Sequence, residues 1–135
     1  MTGTVRQGVA ILGSTGSVGA NTLDVLARHP ERFEVVALTA STRVEEMLSQ
    51  CVAFKPQFAV MADAASAREL ERGCRDLALS TRVLAGAQAI ADMAADDRVQ
   101  IVMAAIVGAA GLPACMRAAR AGKRLLLANK EALVV

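Results

Sequence analysis

The chain has 135 residues, of which 54% are hydrophobic and 21% charged, and its formal net charge is +2. This length is sufficient for one domain with its own core, and the composition excludes an intrinsically disordered chain. The charges form no basic stripe, and three Phe with no Trp or Tyr leave little to stack on bases, so we expect no nucleic-acid partner. No apolar run approaches the roughly 18 residues of a membrane helix, and the start MTGTVR lacks the apolar core of a signal peptide.

The first predicted elements are a strand at 8–12 and a helix at 17–28, which Pro30 closes. One face of this helix is expected to contain four residues: Val18, Thr22, Val25 and Leu26. The single histidine, His29, lies at the C-terminal end of the helix, far from the glycines that precede it. We interpret His29 as a cation that favours the helix dipole and not as a catalytic base.

The next elements are a buried strand at 33–39 and a helix that begins near Val44, with an apolar stripe at helical spacing. Thr42, with Glu45 three residues further on, predicts a capping box at the start of this helix.

The same signals predict the remaining elements: a strand at 58–61, a helix at 64–74 capped by Asp63, a strand at 82–84, a helix at 87–94, a strand within 99–107, a helix from Pro113 to Ala121 with Gly122 at C′, and a strand at 124–127. Six strands that alternate with five helices predict an α/β fold, a doubly wound (Rossmann-like) parallel sheet in three α/β/α layers. Residues 130–135 look like the start of another helix, so we expect 1–135 to be one domain of a longer protein.

Cys51, Cys74 and Cys115 are odd in number, widely spaced and placed in segments with a helical pattern. No second Cys or His lies at the spacing of metal ligands. We interpret the three cysteines as small buried hydrophobic residues and expect a reducing, cytoplasmic compartment.

Gly13, Gly16 and Gly19 connect the first strand to the first helix in the stretch AILGSTGSVG. In doubly wound folds such a turn binds phosphate, because backbone N–H groups at the helix N-terminus point at the anion. Gly13 would make the sharp turn, Gly16 would allow close approach and Gly19 would let helix pack on strand. Thr15 and Ser17 could donate hydroxyls. The spacing departs from GxGxxG and leaves open two-step reductases, semialdehyde dehydrogenases and short-chain dehydrogenases.

The segment Ser41-Thr42-Arg43, after the second strand, bears on which dinucleotide binds. NAD enzymes usually place Asp or Glu there for the ribose 2′-hydroxyl, and this chain has no carboxylate before Glu45. Two hydroxyls and an arginine at a helix N-terminus favour a 2′-phosphate and therefore NADP(H). The alternative is that Ser41 and Thr42 only cap the helix and that Arg43 is solvated.

The segments VMAAIVGAAGL (102–112) and LLLANKEALV (125–134) resemble the two signatures of the 1-deoxy-D-xylulose 5-phosphate reductoisomerase family. ILGSTGSVG and TLDVLARHPERFEVVAL (22–38) resemble the opening of that family. The resemblance runs from about Val9 to Val135 and covers only the N-terminal, NADPH-binding part of the family. It implies an enzyme, usually a homodimer, that rearranges its sugar phosphate substrate to an aldehyde and reduces the aldehyde with NADPH to 2-C-methyl-D-erythritol 4-phosphate.

The resemblance also implies a divalent metal ion (Mg²⁺, Mn²⁺ or Co²⁺) that holds the substrate oxygens. Its ligands would lie beyond the matching segment, so we expect no metal ligands within this chain, weak NADPH binding and no turnover by the chain alone.

Matching positions suggest a role for each candidate site residue. Residues lining the pyrophosphate would be Thr15, Gly16, Ser17 and Val18. Ser41, Thr42 and Arg43 would surround the 2′-phosphate; they differ from the Gly-Lys-Asn common in the family, and Arg43 could supply the charge of the missing lysine. Asn129 and Glu131 would contact the cofactor and Lys130 the substrate. From sequence physics alone, Lys130-Glu131 would be interpreted as a solvated first helical turn. Gly108 follows the fifth strand, where a side chain would block the nicotinamide.

Two other interpretations stay open. A semialdehyde dehydrogenase needs a thiol nucleophile, and the absence of a cysteine at a predicted strand end counts against it. A non-catalytic NADP-binding module is the other.

Overall fold

A computed structural model describes residues 6–105 and 111–127. Within these residues, one sheet contains six strands: β1 Gln7–Leu12, β2 Phe33–Ala40, β3 Phe58–Met61, β4 Arg82–Ala85, β5 Ile101–Ala104 and β6 Arg124–Leu127. The helices that connect or flank them are α1 Ser17–Ala27, α2 Val44–Phe54, α3 Ala64–Asp76, α4 Ala87–Ala94 and α5 Leu112–Arg120.

The strand order in the sheet is β4-β3-β2-β1-β5-β6, and every neighbouring pair is parallel. The chain moves outward from β1 to β4, returns to the other side of β1 as β5, and then moves outward to β6. The direction of winding therefore reverses between β1 and β5. The predicted doubly wound α/β fold is confirmed, and in such a sheet ligands bind beyond the carboxyl ends of the strands at this switch point.

Both faces of the sheet are covered, which explains the uninterrupted apolar runs of the central strands. Ala10 and Leu12 of β1 pack in a core shared with α4 and α5, whereas Val9 and Ile11 pack in the core shared with α1, α2 and α3. Side chains alternate between the two faces along a strand, so successive residues of one strand contribute to the two cores in turn.

The predicted face of α1 is wrong in part. Val18 and Val25 are 41% and 53% exposed, whereas Gly19 and Leu23 are buried. The helix also ends at Ala27, one residue earlier than predicted. Its rotation is set by Gly19, which lies against the backbone of the preceding loop and turns Leu23 inward.

The predicted capping box at α2 is also wrong. The helix begins at Val44, one residue too late for Thr42 to cap it. Arg43 is therefore the N-cap residue, and it makes no side-chain cap hydrogen bond. A backbone turn replaces the cap, in which the Val44 N–H donates to the Thr42 carbonyl at 2.9 Å.

The caps predicted at two other helices are confirmed. Asp63 accepts from the Ser66 N–H at 2.9 Å, and its hydrogen bonds to the side chain and backbone of Ser66 lower the pKa of this carboxyl. Pro113 lies in the first turn of α5, and Gly122 follows the C-cap with a φ of 76°. His29 is exposed and lies just beyond α1.

The rotation of α1 can be tested by truncating one residue on each of its faces. Leu23→Ala removes a fully buried side chain, so we expect the free energy of unfolding to fall by roughly 2–5 kcal/mol. Val25→Ala on the exposed face should change it by less than about 0.5 kcal/mol. Chemical denaturation measures both, and equal losses would contradict this orientation of the helix.

Candidate functional site

The first residues of the loop between β1 and α1 are hydrogen-bonded to the end of β2. Gly13 has a φ of 84°, a left-handed conformation that glycine adopts without strain. The N–H groups of Gly13 and Ser14 both donate to the Thr39 carbonyl, at 3.0 and 2.9 Å. The turn that sequence analysis predicts at Gly13 is therefore present, and it brings the loop to the carboxyl edge of the sheet.

The other two glycines of the loop are in different environments. A Cβ on Gly19 would lie 2.3 Å from the Gly13 carbonyl oxygen and 2.7 Å from the Ser14 Cα, so α1 packs directly on the loop backbone. A Cβ on Gly16 would meet only the Gly13 oxygen, at an ordinary 3.8 Å. No steric contact among the described residues therefore requires glycine at position 16, and the space in front of it is open.

The N-terminus of α1 is open to an anion. Gly16 is the N-cap in an extended conformation, and within this described helix no side chain caps the first turn and no acidic residue lies in it. Ser17 and Val18 are exposed and Thr15 is half-buried. Because the first N–H groups of a helix point outward and its dipole is positive at this end, the loop can bind a phosphate.

The segment after β2 lies beside this loop, because β1 and β2 are paired neighbours with Leu12 opposite Thr39. Ser41, Thr42 and Arg43 are all exposed. The Arg43 Nε lies 3.8 Å from the Glu46 Oε2, and the two side chains are 63% and 50% exposed. An exposed ion pair of this kind contributes little to stability, so Arg43 can exchange Glu46 for an anion at small cost.

The polar contacts behind the loop are not predicted from the sequence. Ser14, Thr39 and Gln50 form hydrogen bonds that connect the loop to β2 and α2. The only sequence signal for them is polarity at positions that precede or interrupt apolar stretches. Four residues of the sequence analysis lie outside the described residues: Gly108, Asn129, Lys130 and Glu131.

The cysteines do not form a nucleophilic site. Cys51 and Cys74 are buried in α2 and α3, and Cys115 is half-buried in α5. Burial, with a smaller contribution from the neighbouring Cys74 thiol, raises the pKa of Cys51 to about 12. Burial also raises the pKa values of Cys74 and Cys115. Since the thiolate is the nucleophile, these three groups are poorly suited to the thiol chemistry of a semialdehyde dehydrogenase.

Across residues 6–105 and 111–127, no group of three or more His, Cys, Asp or Glu residues is placed to hold a metal ion. In the same ranges, no helix is long and apolar enough to cross a membrane.

A parallel sheet with a switch point, and an open glycine loop at the N-terminus of its first helix, define a dinucleotide-binding type of α/β domain. The family model described as 1-deoxy-D-xylulose 5-phosphate reductoisomerase matches residues 9–135. The chain therefore belongs to the 1-deoxy-D-xylulose 5-phosphate reductoisomerase family.

Two relatives that carry the name of this family match nearly the whole chain. The protein from Aromatoleum aromaticum is 56% identical over 129 residues, which cover 96% of this chain and 32% of the relative. The protein from Xanthomonas oryzae pv. oryzae is 53% identical over 135 residues, which cover 100% of this chain and 34% of the relative. This chain thus spans about a third of the length of these relatives.

Solved structures of proteins from this family also match the chain. A DOX-P reductoisomerase in complex with NADPH, fosmidomycin and magnesium matches with a TM-score of 0.87 and 43% identity, covering 95% of this chain and 31% of that chain. The Zymomonas mobilis 1-deoxy-D-xylulose 5-phosphate reductoisomerase in complex with NADPH matches with a TM-score of 0.85 and 38% identity, covering 96% of this chain and 34% of that chain.

Alanine at each of the two glycines should separate packing from open space. We expect Gly19→Ala to lower the free energy of unfolding by roughly 1–3 kcal/mol, because the new methyl group overlaps the loop backbone. Gly16→Ala should lower it by about 1 kcal/mol or less, because the methyl group meets open space and alanine is only a somewhat poorer N-cap residue than glycine. Thermal or chemical unfolding without ligand measures both, and a larger loss at Gly16 would contradict the described packing.

Proposed function

We propose that this chain is the NADPH-binding part of an enzyme that converts 1-deoxy-D-xylulose 5-phosphate to 2-C-methyl-D-erythritol 4-phosphate. The observation that carries the proposal is the open glycine loop at the switch point of the sheet, with space in front of Gly16 and an uncapped helix N-terminus behind it. The name of the relatives and the NADPH in two similar structures support the choice of cofactor and reaction.

The loop would hold the cofactor pyrophosphate on the N–H groups of the first turn of α1. Gly16 leaves room for the phosphate to approach the backbone, and a side chain there would enter that room. The hydroxyls of Thr15 and Ser17 would donate further hydrogen bonds, and Val18 would line the site. NADPH, when bound, supplies the hydride that reduces the aldehyde.

Ser41, Thr42 and Arg43 would bind the adenosine 2′-phosphate at the N-terminus of α2. Two hydroxyl donors and one guanidinium suit a phosphate, and the helix dipole adds to their effect. Glu45 and Glu46 lie in the first turn of the same helix and oppose a second negative charge. Arg43 would therefore have to leave Glu46 and turn to the phosphate. It is the one cation among these three residues and would supply the charge that distinguishes NADPH from NADH.

The remaining parts of the proposed enzyme lie outside the described residues. Asn129 and Glu131 would contact the cofactor, Lys130 would contact the sugar phosphate substrate, and the ligands of the divalent metal (Mg²⁺, Mn²⁺ or Co²⁺) would come from beyond this segment. We further propose that the full enzyme is a cytoplasmic homodimer, on the support of the free thiols and the family resemblance. The chain alone would bind NADPH weakly and show no turnover.

The role of Arg43 can be tested by comparing NADPH and NADH. Arg43→Ala should weaken NADPH binding roughly 10- to 150-fold, the effect of losing one hydrogen bond to a charged group, and leave NADH binding nearly unchanged. Arg75→Ala is the matched control, because Arg75 also forms an exposed pair with a glutamate on its own helix, at 3.2 Å from Glu71. Titration by calorimetry gives the dissociation constants.

For the Arg43 test, a control variant with the same loss, or an Arg43 variant that loses NADH affinity equally, would contradict the assignment of the 2′-phosphate. Failure of the wild-type chain to bind NADPH at any accessible concentration would contradict the proposed function itself.

A further inference from the structure

Ser14 is the most buried polar residue of the glycine loop, with none of its surface exposed. Its Oγ donates to the Gln50 Oε1 at 2.7 Å, and the Gln50 Nε2 donates back to the Ser14 carbonyl at 2.8 Å. The two residues are 36 positions apart in the sequence. One carboxamide therefore forms a reciprocal pair of hydrogen bonds that joins the loop to α2.

The orientation of the Gln50 side chain is determined by chemistry. The Ser14 carbonyl can only accept, so the amide nitrogen has to face it, and the amide oxygen is left to accept from the hydroxyl. The Ser14 N–H already donates to the Thr39 carbonyl at 2.9 Å. All three polar groups of Ser14 are thus used within the protein, and Ser14 anchors the loop while the residues after it remain available for a phosphate.

We propose that Gln50 is a positioning residue for the phosphate loop. It fixes Ser14 between β2 and α2, so that the N–H groups at the start of α1 converge on one point before a cofactor arrives. Binding to a preorganised loop avoids the entropy cost of ordering it, which appears directly in the affinity. This inference rests on the proposed function, in which the loop binds the pyrophosphate.

The position of Gln50 predicts which part of the cofactor is affected. Gln50 lies in the second half of α2 and contacts the loop, whereas residues 41–43 precede the first turn of that helix. Loss of its carboxamide should weaken binding of the pyrophosphate by the loop, and NADPH and NADH share this group. It should not weaken binding of the 2′-phosphate, which 2′-AMP presents without a pyrophosphate.

The experiment compares Gln50→Met with Gln57→Met. Methionine is similar to glutamine in length and forms none of these hydrogen bonds. Gln57 is also half-buried and also bonds a distant residue, since its Nε2 donates to Glu34 Oε2, but it lies at the opposite end of the sheet, just before β3. Dissociation constants for NADPH, NADH and 2′-AMP are measured where all variants are folded, together with amide hydrogen exchange of segment 13–19 without ligand.

We expect Gln50→Met to weaken NADPH and NADH binding by the same factor. The two lost hydrogen bonds, at about 0.5–1.5 kcal/mol each, set the upper limit of this factor at roughly 5- to 150-fold. Binding of 2′-AMP should not change, and exchange in segment 13–19 should become faster. Gln57→Met should match the wild type in all four measurements. The loss of dinucleotide affinity in the double variant Ser14→Ala/Gln50→Met should be smaller than the sum of the two single losses, because Ser14→Ala removes one of the two hydrogen bonds that Gln50→Met also removes.

Three results would overturn the proposal: unchanged dinucleotide binding in Gln50→Met, a loss confined to NADPH, or the same loss in both glutamine variants. If the wild-type chain binds neither dinucleotide, the proposed function fails. Hydrogen exchange then still decides whether Gln50 anchors the loop, and unchanged exchange overturns that anchoring.

Discussion

The contact between α1 and the backbone of the glycine loop at Gly19 is the constraint on which the site depends. Because Gly19 has no Cβ, the helix can lie directly on the loop, at a distance that leaves no room for a side chain beside the Gly13 carbonyl. This contact turns Leu23 into the core and leaves Val18 and Val25 exposed. It also places the N-terminus of α1 at the carboxyl end of β1, beside the switch point between β1 and β5 where the direction of winding reverses.

Polar contacts with β2 and α2 also hold the loop. Thr39 and Ser14 are both fully buried, and a buried polar group costs free energy unless it is hydrogen-bonded. The Thr39 Oγ1 accepts from the Gly13 N–H at 3.2 Å, and the Ser14 Oγ donates to the Gln50 Oε1 at 2.7 Å. Within residues 6–105 and 111–127 no buried side-chain nitrogen or oxygen lacks a partner. The polar network therefore specifies one loop conformation without leaving an unsatisfied group.

Much of the fold could be predicted from the sequence because its signals are local. Alternating apolar runs and helical stripes predict the order of elements, and the Asp63 cap and the glycine after α5 mark two helix ends. The errors arise where a tertiary contact overrides the local pattern. Val18 and Val25 fit an apolar stripe, but the Gly19 contact rotates them outward. Helix α2 begins one residue too late for the Thr42 hydroxyl to cap it.

The candidate site was predictable to a smaller extent. The glycine loop is contiguous and visible in the sequence, whereas the Ser14–Gln50 pair joins residues 36 positions apart, which no periodicity indicates. The ion pair between Arg43 and Glu46 likewise depends on the conformations of the two side chains, which the sequence does not indicate. Open space in front of Gly16 becomes evident only when the neighbouring backbone is known, because the same glycine could equally have been required by packing.

The most direct test of the central claim is a backbone amide NMR titration of this chain with NADPH. If the loop binds the pyrophosphate and the N-terminus of α2 binds the 2′-phosphate, the largest chemical-shift changes will fall in residues 13–19 and 41–43. Shifts confined to another surface, such as the groove beside Cys74 and Arg82, with none in residues 13–19, would contradict the account.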